Sequence, residues 1–215
     1  MGRGFARSAP MLDDPVPVLA AYHEGVRAIC QIAAQFRPDT WEMRTPCPEW
    51  RAYELAGHLR CVIDDYHEYL DNAPVSRFAR LMATGVPAET LQRKLARQNA
   101  AELAALAEAP PAEHISVFAQ SARSYAGRLP AVWELPHHQY LDTVVTVGGM
   151  AGAACTEWHL HAWDLATALG AKYRPADPDR LVACWRAGMP QSRLTVLPGA
   201  DPWRSVLMAS GRSPV

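Results

Sequence analysis

Apolar residues recur along this chain at intervals of three and four, the spacing of one buried face of a helix, over most of its length. Between Pro15 and Phe36 they are Val18, Tyr22, Val26, Ile29, Ala33 and Phe36. Arg37 and Pro38 end that stretch. The prolines of RPDTWEMRTPCPEW then exclude a helix interior as far as Pro48, which the first turn of a new helix tolerates. A second helix is predicted over about 49–70, with Leu55, His58, Leu59, Val62, Tyr66 and Tyr69 on its inner face. A third spans about 88–108, and a fourth about 111–129 carries Ile115, Phe118, Ala122, Tyr125 and Leu129 in register. LDTVVTV (141–147) is rich in β-branched residues and predicts a short extended stretch, which Gly148, Gly149 and Gly152 break. A helix from about Ala153 to Leu169 follows, capped by Gly170, then a short one from Asp177 to Gly188 and a Pro-rich tail. The expected fold is all-α: an antiparallel four-helix bundle with additional short helices and a C-terminal tail. Residues 1–12 are expected as a disordered leader, 13–190 as the bundle and 191–215 as a tail packed on it.

Composition narrows the function classes. With 215 residues, of which 49% are hydrophobic, the chain can bury a core without staples. Its 21 basic and 22 acidic residues give a formal net charge of -1, and no basic run supports a nucleic-acid partner. Five cysteines, odd in number and without a C-x-x-C pair, argue against a disulfide framework or a cysteine-rich zinc site and for a reducing cytoplasm. No apolar run approaches the roughly 20 residues that a bilayer requires, so no membrane partner is expected. A homodimer is compatible with a bundle that exposes Leu and Ala faces.

One segment departs from this plain picture. ACTEWHLHAWDLATALG places Glu157, His159, His161 and Asp164 within eight residues of apolar, alanine-rich sequence. Residues three, four and seven apart share a helical face, so Glu157, His161 and Asp164 form one stripe, with His159 about 200 degrees round from His161. A Glu and a His at i and i+4 can reach one metal ion, and His58 on the second helix, with Gly57 beside it to admit another backbone, offers a third ligand. A His2Glu set leaves coordination positions open, as catalysis requires. Asp164 is then the candidate catalytic-site carboxylate, orienting a ligand imidazole, or else a hydrogen-bond acceptor that spans the bundle. Spacing alone leaves other readings open: a satisfied core histidine at His58 and a solvated surface pair at Glu157 and His161. The backbone amides of Gly148 and Gly149 are candidates to bind an anionic group, the alternative being a tight turn before the helix. Cys61, one turn beyond His58, is within reach of the ion but reads first as a small buried hydrophobe, and Cys47 as loop packing. His137 and His138 read as a surface pair, and Trp50 and Trp163 as packing anchors.

Resemblance to a known family weights these alternatives. TPCPEWRAYELAGHLR (45–60) and EWHLHAWDLATALG (157–170) resemble the two signature motifs of the DinB-like superfamily, in particular its actinobacterial branch named for mycothiol-dependent maleylpyruvate isomerase. That branch typically reads T-P-C-x-x-W before a helix ending in H-L, then E-x-x-x-H-x-W-D-L-A. The tail VLPGADPWRSVLMASGRSP (196–214) is similar to the A-D-P-x-x-x-L-L-x-x-x-G-R-x-P ending of a subset of these proteins. The resemblance implies a four-helix bundle holding a divalent metal on His58, Glu157 and His161, the residues the stripe selects. Zinc is the expected ion, with nickel, iron or cobalt satisfied by the same ligands. It also implies thiol chemistry with mycothiol or a related low-molecular-weight thiol as co-substrate. The function expected is S-transfer to an electrophilic small molecule. The alternatives are a thiol-dependent cis-trans isomerase and a non-catalytic metal-binding or interaction protein.

Overall fold

A computed structural model describes residues 7–8, 12–47, 50–106 and 109–213. Four long helices form the bundle: α1 (Pro15–Ala33), α2 (Ala52–Asp71), α5 (Pro111–Arg128) and α6 (Val147–Ala168). The shorter α3 (Arg77–Ala83) and the long α4 (Ala88–Ala105) lie between α2 and α5 in the chain, and α7 (Pro178–Gly188) and α8 (Pro202–Ala209) follow α6. α1 packs on α6 and α5, α2 on α5 and α4, α7 covers α6, and α8 packs on α7. Among the described residues no helix is long and apolar enough to cross a membrane.

Local chemistry explains where several helices begin. Three start with Asp-Pro: the side chains of Asp14, Asp177 and Asp201 accept from the backbone N–H of Val16, Arg180 and Trp203. In each the following proline occupies the first turn, where its missing N–H is harmless. At the far end of α6, Gly170 takes φ +69° and turns the chain away from the helix, as expected of its carboxyl-terminal cap. The centre of the bundle is aromatic. Trp158 of α6 is fully buried and meets Tyr22 of α1, Tyr66 of α2 and Phe118 of α5 edge-on, at centroid separations of 5.9, 5.8 and 4.9 Å. α1 comes this close because Gly25 has no side chain: a Cβ there would lie 2.8 Å from the Cβ of Trp158.

Several boundaries differ from the sequence expectation. α2 begins at Ala52 rather than near Glu49, and Pro48 and Glu49 lie outside the described residues, as do the end of the expected third helix at Glu108 and most of the expected leader. Within that leader Arg7–Ser8 forms a short strand, β1, parallel to β3 (Thr143–Thr146). β2 (Pro136–Tyr140) pairs antiparallel with β3, so the middle of ELPHHQYLD is a strand and not a loop. On the inner face of α2, Val62 is half-buried and Ile63 takes the core position. The largest correction concerns the glycines of VGGMAG, which do not break structure. α6 begins at Val147 and runs through them, capped by the Thr146 hydroxyl on the N–H of Gly149. Two of them are small because α7 crosses there: a Cβ on Gly149 would lie 2.8 Å from the carbonyl oxygen of Ala187, and one on Gly152 3.0 Å from that of Cys184, while one on Gly148 would lie 2.5 Å from the Trp133 ring.

His137 and His138 are buried, not exposed, with their Nδ1 atoms 3.0 Å apart and the ring of His138 edge-on to Phe78 of α3. Burial pushes the His137 imidazole down to about 4; burial, reinforced by His137, pushes His138 down to about 3. The unfolded chain takes up protons at these positions below about pH 6.5, which the folded chain refuses until far lower. Stability from this pair is therefore complete above pH 6.5 and is lost as the pH falls toward 4. We expect about 4 kcal/mol of loss at pH 5 relative to pH 7, about half from each histidine, or roughly 10 °C in Tm. Thermal unfolding of wild type beside His138→Gln checks this: the variant should lose clearly less on acidification, and parallel curves would show that the pair does not drive the loss.

Candidate metal centre

Two turns of α6 and one side chain of α2 converge on a cavity lined by α2, α4, α6 and α7. Glu157 and His161 stand one turn apart on the same face of α6, and His58 of α2 meets them. One ligand atom from each of the three lies within 4.8 Å of the others. Glu157 Oε1 faces His58 Nε2 at 3.6 Å and His161 Nε2 at 3.8 Å. These gaps exceed a hydrogen bond. They are near the roughly 3.4 Å that separates two donors bound to a common ion at about 2.1 Å and a tetrahedral angle.

Two of the three donors are held by a partner behind them. The phenol of Tyr66 donates to Glu157 Oε2 at 2.9 Å, which leaves Oε1 directed at the two imidazoles. Asp164, fully buried, sits 3.0 Å from His161 Nδ1. A carboxylate only accepts, so Nδ1 carries the proton and the lone pair of Nε2 faces the gap. Asp164 is in turn clamped by Arg212, whose Nε and Nη2 donate to its two oxygens at 2.8 and 2.5 Å. The ring of Trp50 lies over His58 at a centroid separation of 4.2 Å. His58 Nδ1 is buried without a partner among the described residues, so this ring has only its Nε2 side through which to be satisfied.

The charge states suit a cation. Burial opposes ionisation of Glu157, but His161 and His58 outweigh it and hold the carboxyl well below its ordinary range. Burial, only partly offset by Glu157, pushes His58 down and keeps it neutral. His161 is the exception: burial lowers it, but Asp164 and Glu157 overcome that and raise it, so its Nε2 must give up a proton before it can serve as a donor to a metal ion. Arg212 and His161 likewise defeat the burial of Asp164 and keep it ionised. The donor set is thus one carboxylate and two imidazole nitrogens, which fits a divalent ion of the zinc type.

The remaining sequence candidates fall elsewhere. Asp164 does not line the cavity; it meets His161 at Nδ1, on the side away from the gap. The amides of Gly148 and Gly149 are engaged by the carbonyl of Trp133 and the hydroxyl of Thr146, so neither is available to an anion. They also sit roughly 12 Å or more along α6 from Glu157. Gly57 receives the Leu103 side chain rather than another backbone. Cys61 lies off the cavity, its thiol pushed up to about 11 by burial and by Glu102. Cys47 does line the cavity. His159 is on the far side of α6, between Tyr173 and the carbonyl of Ala21. Tyr66 and Arg212 carry functions that the sequence reading did not assign, although Tyr66 stood on the inner face of α2 and Arg212 is the arginine of the G-R-x-P ending.

The pattern of the family described as mycothiol maleylpyruvate isomerase N-terminal domain matches residues 22–166. No curated protein and no solved structure matches the chain. The match takes in well over half of the chain and includes His58, Glu157, His161 and Asp164, while Arg212 lies beyond it. By its helical fold, its His-Glu-His cluster and this match, the chain belongs to the mycothiol maleylpyruvate isomerase N-terminal domain family.

Proposed function

We propose that the chain is a metal-dependent thiol S-transferase, with His58, Glu157 and His161 holding a divalent ion and mycothiol or a related thiol as co-substrate. The observation that carries this reading is the gap between Glu157 Oε1 and the two imidazoles, too wide for hydrogen bonds and close to the width for a shared ion. When bound, such an ion lowers the pKa of a coordinated thiol so that the thiolate exists at neutral pH. The protein's own residues supply the rest. Tyr66 and Asp164 fix the ligand orientations, so little reorganisation is required as charge develops at the site. Trp50 covers His58 and excludes water from one side of it. The cavity beyond receives the electrophile, whose carbon forms a bond to sulfur while its leaving group departs with the electron pair of the broken bond.

The test uses untagged protein purified without chelators. Metal content is measured by inductively coupled plasma mass spectrometry, and chloride release from 1-chloro-2,4-dinitrobenzene is followed with mycothiol. About one equivalent of divalent metal, with release that requires both the metal and the thiol, is the expected result. Metal retention without thiol-dependent turnover across such electrophiles would leave a metal-binding protein and remove the transferase.

A further inference from the structure

The cavity that opens from the metal centre measures about 350 Å3, more than twice one that holds a benzene ring. Its walls away from the ligands are apolar: the stacked rings of Tyr69 and Phe78, Leu91 and Leu95 of α4, Met150 of α6 and Trp185 of α7. Of the polar groups on the wall, Asp65, Tyr69 and Ser210 are engaged by the protein itself, while the side chains of Asn99 and Ser192 have no partner among the described residues. The carboxylate of Asp65 accepts from Tyr69, Arg77 and Gln98 at 3.1, 3.0 and 2.6 Å, and the Ser210 hydroxyl donates to the carbonyl of Leu207. Gln191, just after α7, differs. It lines the cavity, and its amide oxygen Oε1 is buried with no partner among the described residues. A buried acceptor left unmatched is costly, and turning the Gln191 amide toward a donor brought by a ligand in the cavity removes the penalty.

We infer that this cavity selects an electrophile with an apolar aryl or alkyl body and one hydroxyl or N–H donor that meets Gln191, and that the polyhydroxylated part of the thiol stays outside. The assignment of that ligand as the electrophile rests on the S-transferase reading; the chemistry of the cavity does not. Each sugar hydroxyl placed against these walls without a partner would weaken binding by roughly tenfold. Each methylene placed there strengthens it by roughly fourfold.

Isothermal titration of the metal-loaded protein with phenylalkanols, from benzyl alcohol to 5-phenylpentanol, tests the inference, with butylbenzene and myo-inositol as comparisons. The dissociation constant should fall about fourfold per methylene until the cavity is full, and myo-inositol should give no heat at millimolar concentration. Gln191→Leu should weaken 4-phenylbutanol by roughly fivefold or more while leaving butylbenzene unchanged. Leu95→Trp, which fills the cavity, should weaken the whole series, and Val62→Trp on the α2 wall replaces it if circular dichroism shows a misfolded variant. No dependence on chain length, binding of myo-inositol as tight as that of the alcohols, or equal effects of Gln191→Leu on 4-phenylbutanol and butylbenzene would each overturn the inference. Metal content of the same samples separates the two readings. Retained metal without phenylalkanol binding removes the apolar ligand and leaves the metal centre, and binding in protein that cannot hold metal does the reverse.

Discussion

Glu157→Gln is expected to purify with less than a tenth of the metal that wild type retains. The substitution keeps the shape of the side chain and an oxygen for the Tyr66 phenol to meet, so the geometry around it survives. What it removes is the negative charge that faces both imidazoles. Loss of a partner that merely orients a ligand costs 10–100-fold in metal affinity, and loss of the one anionic ligand should exceed the upper end of that range. Far-UV circular dichroism should stay at the wild-type value, since α6 is held by Trp158 and its aromatic neighbours and not by this carboxylate. His161→Ala should lose metal equally. Wild-type stoichiometry in Glu157→Gln would place the ion elsewhere in the protein and remove the centre proposed here.

The largest effect on stability is expected from Arg212→Ala. Asp164 is fully buried and ionised, and Arg212 supplies two of the donors that make this tolerable. Removing one partner of a buried pair strands the other charge, at a cost of about 3–5 kcal/mol, or on the order of 10 °C in Tm for a chain of this size. Neutralising the stranded group should recover much of the loss, so Arg212→Ala with Asp164→Asn should melt above Arg212→Ala alone. Differential scanning calorimetry of the two variants decides it. A single variant that melts within 2 °C of wild type, or a double variant that melts lower still, would show that the clamp does not hold the tail to the bundle.

The contrast between these two residues indicates what was legible in the sequence. Glu157 and His161 announce themselves because a helix turns by 100 degrees per residue, so four positions suffice to put two ligands on one face. His58 stood among Leu55 and Leu59 on an apolar stripe and could be paired with them once a bundle was expected. Arg212 lies nearly fifty residues from its partner in a tail whose residues show no periodicity, and only folding brings the two together. The same limit applies to the small elements. α3 and α8 are seven and eight residues long, too short for an apolar period to stand out. β2 reads as a polar loop because its two histidines are buried by α3, a helix the pattern did not reveal. Gly148, Gly149 and Gly152 misled for a different reason. Glycine weakens a helix on propensity alone, but here the close approach of α7 at Gly149 and Gly152 and of the Trp133 ring at Gly148 requires positions without a side chain, and tertiary packing overrides the local preference.

His58 and Glu157 belong to helices about a hundred residues apart along the chain and meet only through the gap between their side chains. An ion held there acts as a reversible crosslink. Closing a loop of that length removes conformations from the unfolded ensemble worth up to about 5 kcal/mol in a chain-entropy account, in addition to whatever the coordinate bonds contribute. The resistance of the fold to heat and to proteases would then follow the supply of free metal, so that the few atoms assigned to the proposed transfer would also set how long a molecule lasts.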